Sequence, residues 1–388
     1  MIISDSIKYV GVNDYKIDLF EGQYDVPNGM AYNSYVIIDD KIAIMDSVDI
    51  RFSAEWIANI RRTIGDRRPD YLVIGHMEPD HSSSVMKFLD EFPDVVIVGT
   101  KKAFDMMGGF FGSDFADRRI AVTDGDSLSL GGHELYFITA PMVHWPEVMM
   151  SYDPTDRVLF SADAFGKFGA LDVEAEWTPE ARRYYFGIIG KYGTQVGALL
   201  RKLSTLDIKL ICPLHGPMLE GDIEYYVGRY RTWSSYLPEK KGVCIAYTSV
   251  YQNTKGAVEL LADLLDRRGV KAELFDLARC DIHGATEAAF RYDRLVLATT
   301  TYNASVFPHM KVFIDHLTER NFQNRVVGFV ENGSWAPTAT SVMKKMLEKS
   351  KDLTYMKAEV RIFSALNKQS RAQVAALADE LADIGSCD

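Results

Sequence analysis

Four metal-capable side chains, His76, Glu78, Asp80 and His81, stand in the segment GHMEPDHSSS directly behind the apolar run YLVIG. A short apolar run of this kind reads as a buried strand. A strand that ends in imidazole and carboxylate donors sets them at a sheet edge, where the chain bends and several ligands can converge on two adjacent ions. Three further segments place the same side-chain types at or just beyond predicted strand ends: His144 in PMVHWPE, Asp163 in LFSADAFG and His215 in CPLHGP. Singly, His144 or His215 reads as a packed or hydrogen-bonded histidine, and Asp163 as a helix cap or turn former. Together they require a fold that brings several strand ends to one edge. The other histidines, His133, His283, His309 and His316, have no such company.

The chain can supply the cores such a fold needs. Its 388 residues are 47% hydrophobic, enough for two ordinary domains and inconsistent with disorder. With 54 acidic against 43 basic side chains the net charge is −11, which repels a phosphate backbone and argues against nucleic acid. No stretch approaches the roughly 18 apolar residues of a membrane span. The opening MIISDSIKYV has no charged start followed by an apolar run, so no membrane and a cytoplasmic location are expected. Cys212, Cys244, Cys280 and Cys387 form no CxxC pair and read as buried apolar residues rather than ligands.

Two halves follow different rules. Up to about residue 235, β-rich runs such as YLVIGH, DVVIVGT, HELYFITAP, RVLFSAD and LICPLHG alternate with turns and a few helical stretches. From Lys241 the order becomes regular. GVCIAY, KAELFDL, RLVLATT, RVVGFV and VRIFS read as strands, separated by helical NTKGAVELLADLLDRRG, VFPHMKVFIDHLTER and APTATSVMKKMLEKS, with a last helix near SRAQVAALADELADI. That alternation predicts a parallel sheet covered on both faces. LPEKKG is the expected linker, giving domains 1–237 and 241–388.

At the end of the first strand of the second half, Thr248, Ser249, Tyr251, Gln252, Asn253 and Thr254 lead into a helix. Hydroxyls and free N–H groups at a helix start can hold a phosphate without a basic side chain, and a flavin phosphate fits; alone, the stretch is equally an ordinary N-cap. Two further loops follow later strands: Thr300, Thr301, Tyr302 and Asn303, and then Asn332, Gly333, Ser334 and Trp335. No GxGxxG follows a strand, which disfavours a dinucleotide fold.

The spacing of the first half resembles the metallo-β-lactamase fold, an αββα sandwich whose loops hold two metals through HxHxDH and later His, Asp and His residues. Here Glu78 takes the place of the second histidine, and the resemblance sharpens to the flavodiiron proteins, whose motif is HxExDH. The second half resembles flavodoxin: TSVYQNT is similar to its phosphate loop, TTYN to its ring-flanking loop and Trp335 to its aromatic wall. Gln252 stands where a glycine is often found, and ENGSWAP departs from the usual GSYGWSG form. The likeness covers essentially the whole chain, and with no rubredoxin or flavin reductase domain following, it is to the two-domain A-type class.

That resemblance implies an α/β architecture, an αββα metallo-β-lactamase-like sandwich followed by a flavodoxin-like doubly wound parallel sheet. It implies a di-iron centre, with His76, Glu78 and His144 on one iron, Asp80, His81 and His215 on the other and Asp163 bridging, and FMN on the three loops of the second half. A carboxylate-rich, thiolate-free set suits iron or manganese better than structural zinc. The implied activity is reduction of dioxygen to water and/or nitric oxide to nitrous oxide, with electrons passing from FMN to the irons. The implied donor is rubredoxin or a reduced deazaflavin, and the implied assembly a head-to-tail homodimer or dimer of dimers. Tyr32, Trp145, Tyr184 and Tyr185 are expected near the metal loops, chiefly as packing. The alternative is a dinuclear metallo-hydrolase with an accessory flavodoxin-like domain, against which Glu78 and the flavin loops both count. A carrier using FMN alone would leave the metal set without a purpose.

Overall fold

The structure is a computed structural model that describes residues 3–384, so Cys387 lies outside the described residues. Its contacts divide the chain into two units, the first ending at Arg231 and the second beginning at Thr232. The division falls earlier than the expected boundary after residue 237 because residues 232–237 pack within the second unit. There the Arg325 guanidinium donates to the Tyr236 carbonyl at 2.6 Å, and the Trp233 indole donates to Glu239 at 2.7 Å. The expected linker is also partly strand, since Lys240 and Lys241 open the strand Lys240–Tyr247. Among the described residues no helix is long and apolar enough to cross a membrane.

The first unit contains two six-stranded sheets. One includes Tyr35–Ile38, Ile42–Met45, Tyr71–Val73 and Val96–Thr100; the other includes Glu134–Thr139, Met149–Asp153, Val158–Phe160 and Leu210–Cys212. Alternate side chains of both enter one core, among them Tyr35, Ile37, Met45 and Val73 from the first sheet and Phe137, Met149, Phe160 and Cys212 from the second. Helices cover the outside. In Ser53–Ile64 the buried side chains Trp56, Ile60 and Ile64 recur four apart, one face of a helix. The result is the αββα sandwich.

Strand direction gathers the metal-capable loops. In the second sheet, Glu134–Thr139 and Val158–Phe160 both run antiparallel to Met149–Asp153, and Leu210–Cys212 runs parallel to Val158–Phe160. The carboxyl ends of these three strands therefore share an edge, and from them come His144, Asp163 and His215. The carboxyl end of Tyr71–Val73 is joined to the same edge by the Met149 N–H, which donates to the Gly75 carbonyl at 2.9 Å. A Cβ on Gly75 would stand 2.8 Å from the Met149 carbonyl, so the crossing of the two sheets needs glycine there.

In the second unit the main strands are Lys240–Tyr247, Ala272–Asp276, Tyr292–Tyr302 and Arg325–Asn332, followed by a split fifth position, Leu353–Tyr355 and Val360–Ile362, both paired with Arg325–Asn332. Their spatial order is 2-1-3-4-5, and all these pairings are parallel. This is the flavodoxin-like doubly wound sheet, with its switch point between the first and third strands. No helix is expected from the sequence between the second and third strands. The structure has one, Ile282–Arg291, whose start is fixed by Asp281 accepting from the N–H groups of His283 and Gly284. Of the cysteines, Cys212 and Cys244 are buried and free, their thiols pushed up by burial, while Cys280 is free and half-buried.

Candidate functional site

At the shared edge of the first unit, seven side chains converge in two sets. In the first, His76 Nε2 and His144 Nε2 lie 3.3 and 3.1 Å from Glu78 Oε2, and 3.4 and 3.0 Å from Asp163 Oδ2. In the second, His81 Nε2 and His215 Nε2 lie 2.9 Å apart, each 3.3 Å from Asp80 Oδ2 and 3.3 and 3.9 Å respectively from Asp163 Oδ1. Asp163 thus turns one oxygen to each set. Asp80 and His81 stand on a single helical turn, Pro79–Ser82, rather than in the expected loop, with proline at its first position and Glu78 at its N-cap. Met142, Ala162 and Phe165, close to His144 and Asp163, have positive φ of 65°, 50° and 67°, a backbone conformation that costs free energy outside glycine and clusters where loops are shaped for function.

The geometry fits metal ions. Nitrogen and oxygen ligands sit about 2.1 Å from an ion, so neighbouring ligand atoms at right or tetrahedral angles lie roughly 3.0–3.4 Å apart. Both Asp80 oxygens and Asp163 Oδ1 are buried without a hydrogen-bond partner, which a buried carboxylate tolerates only beside compensating charge. Burial works to lower the pKa of His76 and His144, yet Asp163 and Glu78 hold His76 well above the usual imidazole value and His144 at about 9. Burial likewise works to raise Asp163 and Glu78, yet the facing histidines hold both carboxyls below their ordinary range. His76, His81, Asp163 and His215 are fully buried, while Glu78 and Asp80 are half-buried, so the cluster opens on the carboxylate side.

The supporting residues include two that the sequence reading passed over. Asp46 Oδ1 accepts from the Gly75 and His76 N–H groups at 2.7 and 3.1 Å, its carboxyl pushed up to about 6 by burial. Glu147 Oε1 accepts from His76 Nδ1 and the Met77 N–H at 2.8 and 2.9 Å. Glu147 had a signal, three residues beyond His144 in HWPE; Asp46 had none beyond its place after an apolar run. Three of the four aromatics border the cluster: Trp145 lies 5.3 Å from the His76 ring, and Tyr32 and Tyr184 lie 6.0 and 5.6 Å from His215. Tyr185 packs against Tyr230 at 5.0 Å. His133 does have acidic company, contrary to expectation, because the fold brings distant turns to it: Asp39 at 2.9 Å, Asp156 at 3.5 Å and Asp153 at 4.0 Å.

In the second unit a cavity of about 540 Å³ lies beyond the carboxyl ends of the strands. Register explains why three loops meet there: the first strand ends at Tyr247 beside Ala298, the fourth at Asn332 beside Thr300, and the third runs two residues further to Tyr302. Twelve of the fourteen residues expected at this site line the cavity: Ser249, Tyr251, Asn253, Thr254, Thr300, Thr301, Tyr302, Asn303, Asn332, Gly333, Ser334 and Trp335. Thr248 and Gln252 do not. Thr248 is buried beneath the loop, its hydroxyl 2.6 Å from that of Thr299, and Gln252 is exposed in a left-handed conformation at the N-cap of the helix Asn253–Asp266. Val250, Ala304, Ala336, Thr338 and Ser364 also line the cavity; the place of Ser364 at the end of the fifth strand was the readable signal.

Among the described residues no lysine, arginine or histidine lines this cavity, so the first-turn N–H groups of Asn253–Asp266 and nearby hydroxyls are its means of holding an anion. Tyr251 and Trp335 are 85% and 88% exposed, leaving aromatic faces bare at the rim. A volume of this size, a neutral phosphate-sized end and uncovered rings fit FMN.

Residues 30–216 match the ODP family of β-lactamase-like domains, and residues 243–346 match the NADPH-dependent FMN reductase family. The chain is 28% identical over 361 residues to the anaerobic nitric oxide reductase flavorubredoxin of Klebsiella pneumoniae, covering 90% of this chain and 74% of that protein. It is 32% identical over 277 residues to the putative diflavin flavoprotein A 2 of Synechocystis sp., covering 70% of this chain and 48% of that one. In fold it is similar to the rubredoxin oxygen:oxidoreductase of Desulfovibrio gigas, with TM-score 0.92, 24% identity and coverage of 99% and 98% of the two chains. It is equally similar to the flavodiiron protein of Giardia intestinalis, with TM-score 0.92, 24% identity and coverage of 99% and 97%. With a β-lactamase-like domain and an FMN reductase-like domain matched in order, and relatives spanning both, the chain is similar along its length to flavorubredoxins and has the two-domain fold of flavodiiron proteins.

Proposed function

We propose that this chain is an oxidoreductase that reduces dioxygen to water and/or nitric oxide to nitrous oxide. His76, Glu78 and His144 would hold one iron and Asp80, His81 and His215 the other, with Asp163, which turns one oxygen toward each set, serving both. Ser249, Asn253 and Thr254, at the helix start, would hold the FMN phosphate, and Tyr302 and Trp335 would offer aromatic faces to its ring. Bound in these places, FMN supplies electrons and the paired ions supply binding and reduction of a small diatomic gas. The protein's share is to aim imidazole nitrogens, to balance the ions with carboxylates and to leave an opening beside Glu78 and Asp80. The observation that carries the reading is Asp163, buried, with Oδ2 turned to one His and carboxylate set and Oδ1 to the other.

The electron donor is a separate rubredoxin, or a reduced deazaflavin, and the active unit is a head-to-tail homodimer or dimer of dimers in the cytoplasm. The hydrolase alternative leaves the aromatic-rimmed cavity of the second unit without a role. The test is to measure metal and flavin content and then gas consumption by the rubredoxin-reduced protein. About two iron ions and about one FMN per chain, with consumption of dioxygen or nitric oxide, are expected. A fully loaded protein that consumes neither gas overturns the proposal, and two zinc ions with hydrolytic activity favour the alternative.

A further inference from the structure

The two sets of metal-capable residues differ in what stands behind their imidazoles. His215 Nδ1 donates to a neutral acceptor, the Ala31 carbonyl, at 2.8 Å. His81 Nδ1 is buried with no hydrogen-bond partner among the described residues. His76 Nδ1 donates to a carboxylate oxygen, Glu147 Oε1, at 2.8 Å, and both side chains are wholly removed from solvent. Of these three rings, His76 alone leans on a charged acceptor.

Glu147 is held in place from several directions. Its Oε1 also takes the Met77 N–H at 2.9 Å, and its carbonyl takes the Thr100 hydroxyl at 3.1 Å. Its second oxygen, Oε2, is buried without a partner. A backbone clamp on Met77 needs only a neutral acceptor, so that contact does not account for burying a full negative charge with one oxygen bare. A cation on the far side of His76 does account for it, because the imidazole transmits the attraction between ion and carboxylate.

Resting on the ligand assignment proposed above, we propose that Glu147 is a positioning residue that makes the two ions unequal. By accepting the Nδ1 proton it fixes the tautomer that turns the His76 Nε2 lone pair toward the ion. Its charge makes that imidazole the stronger donor. The ion on His76, Glu78 and His144 is therefore the more tightly held and the harder to reduce, and the ion on Asp80, His81 and His215 is released and reduced first.

The experiment uses the iron- and FMN-loaded protein and the substitution Glu147→Gln, which keeps an oxygen for His76 and Met77 but removes the charge. Iron release to a chelator is followed in time, and the reduction of the irons is followed by potentiometric titration with electron paramagnetic resonance. In the wild type two unequal phases are expected. In Glu147→Gln the tighter ion should weaken by roughly ten- to hundredfold and its reduction should move to higher potential, while the other ion and the FMN absorption stay unchanged. Glu147→Asp, which restores charge at a shorter reach, should recover part of the difference. Equal weakening of both ions, or release and potentials matching the wild type, overturns the proposal. Failure of the ligand assignment reads differently: Asp163→Ala would then keep both irons whatever residue 147 is.

Discussion

At the metal loops, seven imidazoles and carboxylates are drawn from four strand ends into a cluster whose centre is fully buried; at the flavin loops, hydroxyls, amides and backbone N–H groups line an open cavity with exposed aromatic rings. The first site works by side-chain charge and is costly to build, since each buried carboxylate needs a compensating cation. The second is built from backbone geometry and a helix start, with no lining cation among the described residues. Substitutions should therefore act differently at the two. Removing one side chain from the metal cluster should have a large and cooperative effect, whereas removing one from the flavin loops should be graded.

The largest expected effect comes from Asp163→Ala. It deletes the one carboxylate that faces both metal sets, so iron should fall about tenfold or more at both positions, while FMN absorbance stays at the wild-type level. Its counterpart is Asn332→Ala. Asn332 Nδ2 donates to the Ser364 carbonyl at 3.1 Å at the cavity wall, and loss of about one net hydrogen bond should weaken FMN binding by roughly three- to tenfold with iron unchanged. Metal analysis and flavin titration on both proteins check the pair. Loss of both cofactors from either variant would break the comparison by making the two sites one cooperative unit.

A middle-sized effect tests whether the two sites serve each other across chains. Mixing Asp163→Ala with a variant substituted at Asn253 and Thr254 gives, by random pairing, about half heterodimers, each with one intact combination of FMN and irons out of two. Gas reduction should recover to about a quarter of the wild-type rate in a head-to-tail dimer. No recovery from a mixture proven to contain heterodimers by mass would reject that arrangement.

The same contrast explains what the sequence made legible. The metal residues were readable because charged side chains behind apolar runs are conspicuous, and because strand ends in such a sandwich must share an edge. The parallel sheet was readable from alternating runs. Residues acting behind others were harder to read: the HWPE spacing hints at Glu147, but its role and that of Asp46 depend on contacts across 71 and 29 residues of chain. Thr248 lies outside the cavity lining because a hydroxyl at a strand end can face the cavity or the sheet below, and here it meets Thr299. The helix Ile282–Arg291 escaped notice because Gly284 and polar neighbours blur its period, although Asp281 supplies a sound cap. The contact division falls six residues before the boundary that the proline and charges of LPEKKG suggest, because Trp233 and Tyr236 pack within the second unit.

The smallest effect sharpens the claim that the flavin site relies on backbone. Gln252 holds φ of 67° at the N-cap of Asn253–Asp266, is exposed, and makes no side-chain cap hydrogen bond. Left-handed backbone costs a side-chain-bearing residue roughly 1–2 kcal/mol, and glycine escapes that cost. Glycine also adds unfolded-state freedom worth about 0.4–1 kcal/mol, which opposes the gain. Gln252→Gly should therefore stabilise the second unit by roughly 0–1.6 kcal/mol, read as a small upward shift of the urea midpoint followed by flavin fluorescence. Affinity for FMN should change by less than about threefold, because the helix N–H groups keep their positions. A tenfold loss of FMN affinity would instead make the Gln252 side chain a direct contact, and the flavin site would then depend on side-chain chemistry as the metal site does.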